Sequence, residues 1–143
     1  MPQIYEAGYK FHIGKANILR QGKDVTIGAI GSMVWEALQA CEILKAEGIE
    51  AKMIDFASVK PIDDEAIKKA CDETKGIITC EDHTVIGGLG DAVASVILPY
   101  KPIPHLRIGI QDKFGESGSA KELYEKYGLT AKHIVQKVKE LLK

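Results

Sequence analysis

Three short apolar runs, each followed by a helix-like stretch, are the feature that most constrains how this chain can fold. The runs surround Val25, Met53 and Ile77 and contain few polar residues. Strands that are buried on both faces have this nearly continuous apolar character, whereas strands with one solvated face alternate. Alternating strands and helices in turn imply right-handed crossovers and a mostly parallel sheet. The pattern therefore predicts an α/β fold, a three-layer α/β/α sandwich.

The order of the strands follows from a conflict near the start of the chain. Two β-type runs flank residues 21–23, and local signals alone would pair them as a hairpin. If the strand at Val25 is central, however, the strands at Met53 and Ile77 take its two sides. We therefore expect the run around Ile18 to pair antiparallel at the outer edge of the sheet, beside the strand at Met53. A plain hairpin is the alternative.

Capping and turn residues mark the ends of the predicted helices. Ser32 is placed to cap the first helix and Gly48 to end it, and Pro61 introduces the second helix. Ser119 and Glu122 have the spacing of a capping box ahead of a later helix. The chain closes with an amphipathic helix.

Length and charge exclude several classes of protein. A chain of 143 residues is expected to form one domain over residues 1–143, with residues 1–14 as an extended N-terminal segment. The net charge of −1 gives no basic footprint for nucleic acid and no polybasic patch for a membrane surface. We see no spanning apolar run and no signal peptide, so we expect a cytoplasmic protein.

The three cysteines do not form a recognisable framework. Cys41, Cys71 and Cys80 are odd in number and widely spaced, so they fit neither a zinc site nor a set of disulfides. Each lies among apolar residues, which favours a role as a small buried hydrophobe. A catalytic thiol at Cys80, at the end of a strand, is the alternative.

The stretch CEDHTVIGGLGDAV, residues 80–93, carries the clearest potential for chemistry. Glu81, Asp82 and His83 follow an apolar strand, and ligands of parallel sheets bind outside the carboxyl ends of strands. As a general base His83 would need a substrate pocket that the sequence does not reveal. A metal site here lacks a second histidine at ligand spacing.

Three glycines follow in the same stretch, at Gly87, Gly88 and Gly90, where a helix begins. Backbone N–H groups at such a point can hold a phosphate. The spacing is nevertheless that of neither a dinucleotide fingerprint nor a P-loop. Four acids would repel a phosphate: Glu81, Asp82, Asp91 and Asp112. We therefore expect the glycines to serve packing and turning, with phosphate binding as the alternative.

Three stretches in order, residues 22–67, 74–93 and 109–129, resemble the carboxyl-terminal domain of transketolase. They begin with GKDVTIGAIGSM, TKGIITCEDHTV and GIQDKFGESGSA, and the resemblance covers nearly the whole chain from about Gly14 onward. It implies a mixed five-stranded sheet of order 1-3-2-4-5 whose first strand is antiparallel. That order agrees with the edge-strand argument above.

The resemblance also implies that the cofactor is bound by other domains of the enzyme. In transketolases, thiamine diphosphate and its Mg²⁺ are held by the two domains that precede this one, and the GDG-type motif of that site is missing from this sequence. We therefore expect no catalytic, cofactor-binding or metal-binding residue in this chain, and no activity from it alone. The whole enzyme would be a transferase of the pentose phosphate pathway that moves two-carbon ketol units between sugar phosphates. Its carboxyl-terminal domain would serve assembly, stability or regulation.

Eight residues match the family pattern without matching a catalytic position, and we take them as candidates for an interface or a regulator-binding site: Glu81, Asp82, His83, Gly87, Gly88, Gly90, Ser117 and Gly118. The expected partners are other transketolase domains or subunits, as a dimer in the whole enzyme, and not nucleic acid or membrane. The alternatives are the corresponding domain of a 2-oxo-acid dehydrogenase β subunit or of a deoxyxylulose-phosphate synthase, and a freestanding small-ligand-binding α/β domain.

Overall fold

A computed structural model of the chain describes residues 3–10, 12–110 and 119–143. It contains five strands: β1 (Asn17–Arg20), β2 (Val25–Ala29), β3 (Ala51–Asp55), β4 (Ile77–Thr84) and β5 (His105–Ile110). They form one sheet in the order β1-β3-β2-β4-β5. The pairing of β1 with β3 is antiparallel and the other three pairings are parallel. The predicted order and the antiparallel edge strand are confirmed, and the hairpin alternative is wrong.

Helices cover both faces of this sheet. They are α1 (Met33–Ala46), α2 (Asp64–Glu73), α3 (Leu89–Tyr100), α4 (Ala120–Lys126) and α5 (Ala131–Leu141). Helices α1 and α5 pack together on one face, and α2 and α3 pack together on the other. Every residue of β2 and β3 is buried, which explains why both strands appear as nearly continuous apolar runs. The three-layer sandwich is therefore confirmed.

Alternating residues of the strands supply two separate cores. Met53 and Ile78 belong to the core under α1 and α5, whereas their neighbours Ile54 and Ile77 belong to the core under α2 and α3. This division follows from the period of two along a strand. The same alternation means that the neighbouring polar residues at the end of β4 point to opposite faces of the sheet.

The three cysteines are free and buried, as the sequence predicted. Burial raises the pKa of the Cys80 thiol above its ordinary value, because a thiolate would lose its hydration there. Reactive cysteines have the opposite character, with a lowered pKa and partial exposure. Cys80 is therefore a core residue that lacks the lowered thiol pKa and the partial exposure of a reactive cysteine.

The predicted helix ends agree with the structure except for one capping hydrogen bond. Gly48, with φ of +82°, follows the end of α1, and the Ser119 hydroxyl accepts the N–H of Glu122 at 3.2 Å. Helix α2 begins three residues after Pro61, where the Asp63 carboxylate accepts the N–H of Ala66 at 3.1 Å. Ser32 occupies the N-cap position of α1, as predicted, but its hydroxyl makes no capping hydrogen bond to that helix.

Two segments beside the sheet also depart from expectation. The polar residues Glu81, Asp82 and His83, expected to follow an apolar strand, belong to β4, which runs on to Thr84 with a register shift against β5 after Cys80. The described part of the N-terminal segment is not simply extended, since the N–H of Tyr9 turns back to the carbonyl of Glu6 at 3.2 Å. Within the described residues, no helix is long and apolar enough to cross a bilayer.

Candidate functional site

Glu81 lies fully buried beneath the first turn of α3. Its two carboxylate oxygens accept the N–H groups of Leu89 and Gly90, each at 2.9 Å. The first N–H groups of a helix have no partner within the helix, and the helix dipole favours a negative charge beside them. Glu81 thus occupies the place that a bound anion takes at a helix start, and these two N–H groups are not available to a phosphate.

The glycine turn wraps closely around this carboxylate. A Cβ atom on Gly88 would lie 1.9 Å from Glu81 Oε1 and 2.5 Å from His83 Cε1. Gly87 has φ of +76°, a conformation that costs glycine little and other residues more. The geometry of the turn therefore depends on glycine for close approach at one position and for backbone freedom at the other.

An ion pair ties the same turn to strand β5. The Asp91 carboxylate accepts the N–H of Gly87 and the guanidinium N–H of Arg107. These two donors, the Gly87 N–H first, hold the pKa of Asp91 below its ordinary value. Arg107 also donates to the Val85 carbonyl at 3.4 Å, and a Cβ on Gly90 would lie 2.9 Å from Arg107 Cδ. Arg107 thus connects the loop and α3 to the sheet.

The hydroxyl of Ser32 connects three elements on the other face of the sheet. It donates to Asp82 Oδ2 at the end of β4, and it is hydrogen bonded to the Tyr124 hydroxyl of α4. Because a serine hydroxyl has one hydrogen, the bond to Asp82 leaves Tyr124 as the donor of the second bond. Ser32 therefore holds α4 against the carboxyl end of the sheet.

His83 lies between the buried carboxylate and solvent. Its Nδ1 atom is 3.3 Å from Glu81 Oε1, while half of its side chain is exposed. Asp82 and Ile86 are also exposed, Ile86 to 61%. We refer to the exposed side chains of Asp82, His83 and Ile86 as the carboxyl-edge surface. The exposed isoleucine, carboxylate and imidazole, all within five residues of the chain, give this surface both apolar and polar contacts to offer.

The N-terminal segment covers the carboxyl end of β3. The Tyr5 hydroxyl donates to the buried carboxylate of Asp55, and the Tyr5 ring stacks on Tyr9 with centroids 4.2 Å apart. Burial raises the pKa of Asp55, and the hydrogen bond from Tyr5 opposes that rise. The two tyrosines, four positions apart, are the signal by which the sequence could have indicated this contact.

The structure thus brings together six of the eight candidate residues. Glu81, Gly88 and Gly90 are buried, whereas Asp82, His83 and Gly87 are exposed. The other two, Ser117 and Gly118, lie outside the described residues, as does Asp112. Over the described ranges, no group of three or more His, Cys, Asp or Glu side chains is arranged to hold a metal ion. The sequence did not single out Arg107, Tyr124 or Tyr5.

Comparison with known proteins identifies the fold as that of a particular enzyme domain. Residues 14–134 match the family of transketolase carboxyl-terminal domains. The chain belongs to this family. A putative transketolase C-terminal section from Methanocaldococcus jannaschii is 50% identical over 136 residues, which is 93% of this chain and 42% of that protein. The 6-deoxy-6-sulfo-D-fructose transketolase subunit of Clostridium sp. strain MSTE9 is 46% identical over 132 residues, or 92% of this chain and 41% of the relative.

A solved structure agrees with the sequence relatives. A split-gene transketolase, described as an inactive β4 tetramer, superposes with a TM-score of 0.95 at 45% identity, over 99% of this chain and 46% of that one. The 1-deoxy-D-xylulose-5-phosphate synthase of Heliobacterium modesticaldum is 43% identical over 130 residues, 90% of this chain and 20% of the enzyme. This transketolase carboxyl-terminal domain spans less than half the length of these relatives.

Proposed function

We propose that this chain serves the assembly and stability of a transketolase and contributes no catalytic group to it. The observation that carries the proposal is the burial of Glu81 under α3. The carboxylate fills the one helix start that the sequence marked as an anion site, and its hydrogen bonds stay within the domain. The acidic and glycine-rich stretch that looked most like an active site is thus internal support for a loop.

The carboxyl-edge surface is the part of this stretch that we expect to contact the rest of the enzyme. Glu81, Gly88 and Gly90 hold the loop from beneath, and Asp82, His83 and Ile86 project from it. An exposed isoleucine next to polar side chains resembles the mixture of apolar centre and polar rim found at protein interfaces. Ser117 and Gly118, which lie outside the described residues, remain candidates for the same interface.

The reaction itself belongs to the assembled enzyme in this proposal. Thiamine diphosphate and Mg²⁺ would be held by the other domains or subunits, and the assembly, a dimer in the simplest case, would transfer ketol units between sugar phosphates in the cytoplasm. The relatives that are named as transketolase subunits or sections support this reading. The synthase relative favours a second candidate, the equivalent domain of a deoxyxylulose-phosphate synthase.

Reconstitution tests the proposal. The chain would be purified alone and together with the polypeptide that carries the two cofactor-binding domains, each with thiamine diphosphate and Mg²⁺ added. We expect ketol transfer from a ketose phosphate to an aldose phosphate in the mixture and none from the chain alone. Transfer by the chain alone would overturn the proposal. Synthase activity in the mixture, in place of ketol transfer, would favour the second candidate.

A further inference from the structure

Strand β5 has backbone groups that face away from the sheet. The N–H of Ile77 donates to the Pro104 carbonyl at 2.9 Å, and the N–H of Val85 donates to the Ile110 carbonyl at 3.1 Å. Because the backbone groups of a strand alternate in direction, even-numbered residues face β4 and odd-numbered residues face outward. Among the described residues, β4 is the sole strand neighbour of β5. His105 and Arg107 therefore direct their N–H and C=O groups to an open edge.

A groove of about 640 Å³ runs along this edge. One wall is β5, and the other is α5 with the turn before it, from which Tyr127, His133, Gln136 and Lys137 line the groove. Gly109 and Val85 also line the groove, and they are in close contact, since a Cβ on the buried Gly109 would lie 2.6 Å from Val85 Cγ1. Its size lies within the range of about 300–1,000 Å³ that is usual for ligand sites.

The two edges of the sheet differ in how well they are protected. Strand β1, at the opposite edge, has four residues and a register shift between Ile18 and Arg20. Short and irregular edges of this kind resist pairing with another chain. Strand β5 has six residues and forms one wall of a groove instead. Its edge is a template on which an extended segment can add.

The charges in the groove indicate what kind of segment fits. Arg107 reaches the α3 face of the sheet, where it contacts Asp91, whereas Lys137 belongs to α5 on the other face. Glu140 also lines the groove, and its 3.5 Å pair with Lys137 is exposed; such pairs contribute little. Successive side chains of an added strand would point to opposite faces. Two consecutive acidic residues would therefore reach Arg107 and Lys137 respectively.

We propose that this groove binds an extended acidic segment of another protein, which adds to β5 as a further strand. Main-chain hydrogen bonds to His105 and Arg107 provide affinity, and the two cations select acidic side chains, as in other cases of strand addition. A second copy of this chain fits less well, because it would bring the same cations into one groove. The groove is separate from the carboxyl-edge surface and does not depend on the function proposed above.

A fluorescently labelled peptide, Thr-Val-Glu-Glu-Val-Thr, tests the proposal by anisotropy and by amide NMR of the full chain. We expect saturable binding with shifts at His105 and Arg107, and at least a tenfold loss of affinity with Lys137→Glu. The matched control Lys132→Glu, exposed on the same helix and outside the groove, should bind as the unaltered chain does. The peptide Thr-Val-Lys-Lys-Val-Thr, and an N-methylated form of the acidic peptide, should each bind at least tenfold more weakly.

Four outcomes would overturn the proposal. They are the absence of saturable binding, equal binding of the lysine peptide, shifts confined to other residues, and equal binding of the N-methylated peptide, which would indicate charge attraction without strand pairing. Hydrogen exchange of the free chain adds a further check. Protection of the His105 and Arg107 amides in the monomer would mean that the edge is already covered, and protection that rises with concentration would mean that a second copy occupies it.

Discussion

Glu81 Oε2 accepts the N–H of Gly90 at 2.9 Å, so a carboxylate at the end of a strand caps the helix that begins eight residues later. The other oxygen accepts the N–H of Leu89. The two bonds explain why an acid and Gly88 occur together here. Gly88 lets the helix start come close enough for the carboxylate to reach it, since a Cβ there would lie 1.9 Å from Glu81 Oε1. Gly87 serves the turn through its positive φ, and Gly90 leaves room for Arg107.

Replacing Glu81 with alanine should destabilise the domain by about 2–3 kcal/mol, because it leaves two N–H groups buried without a charged acceptor. Glu81→Gln should cost less, since one amide oxygen can still accept one of the two bonds. The free energy of unfolding in urea, measured for both variants, checks this order. Equal stability of Glu81→Ala and the unaltered chain would contradict the capping role.

Replacing Gly90 with valine should destabilise the domain by ~1–3 kcal/mol, because the new side chain meets Arg107 within 3 Å of its Cδ. The matched control is Ser95→Val, at an exposed position of the same helix, which tests the lower helix propensity of valine without the clash. Thermal unfolding of the two variants should separate these effects. A similar small loss in both would mean that the contact with the sheet is not tight.

Part of the order of the sheet could be predicted because two-sided burial leaves a visible trace in the sequence. The runs at Val25, Met53 and Ile77 were expected to lie side by side, which left the strand at Ile18 an outer edge of the sheet, and the full order was implied by the family resemblance. The destination of the Ser32 hydroxyl could not be predicted in this way. Its partners, Asp82 and Tyr124, are 50 and 92 residues away, and nothing local indicates them.

By contrast, the face of the sheet to which each polar side chain of β4 points could be predicted from the sequence. Counting by two from Ile77 puts Glu81 on the same face as Thr79, toward α3, and puts Asp82 on the opposite face. The register shift after Cys80 could not be predicted from the sequence. After this shift, β4 pairs with β5 again at Thr84. A single arginine within the apolar run of β5 was the signal for Arg107, since a half-buried cation needs an acidic partner.

His105 should make the stability of the domain depend on pH. Burial, and then the charge of Arg107, lower the pKa of this histidine from 6.5 to about 4. The neutral form is thus favoured in the folded state, so its contribution is fully present above about pH 6.5 and is lost as the pH falls toward 4. The loss should be about 1–3 kcal/mol, reduced by the partial exposure of the ring.

The variant His105→Gln isolates this effect, because it removes the titrating group and keeps an amide that can bond to Thr79, the present partner of Nε2 at 3.0 Å. Urea unfolding at pH 7.5 and at pH 5 should show a smaller decrease in stability for the variant than for the unaltered chain. Parallel decreases in both proteins would assign the pH dependence to other groups, such as the carboxylates.

His83→Ala and Ile86→Asp should weaken association with the rest of the enzyme by about tenfold, because both remove contacts from the carboxyl-edge surface. Turnover of the complex that still forms should change little, since neither residue is expected to touch substrate or cofactor. Lys132→Ala, at an exposed position of α5, is the control. Sedimentation gives the association constants, and ketol transfer at saturating subunit concentration gives the turnover. If His83→Ala reduced turnover by ~100-fold with the assembly intact, His83 would be an acid–base catalyst, and the domain would have a catalytic role.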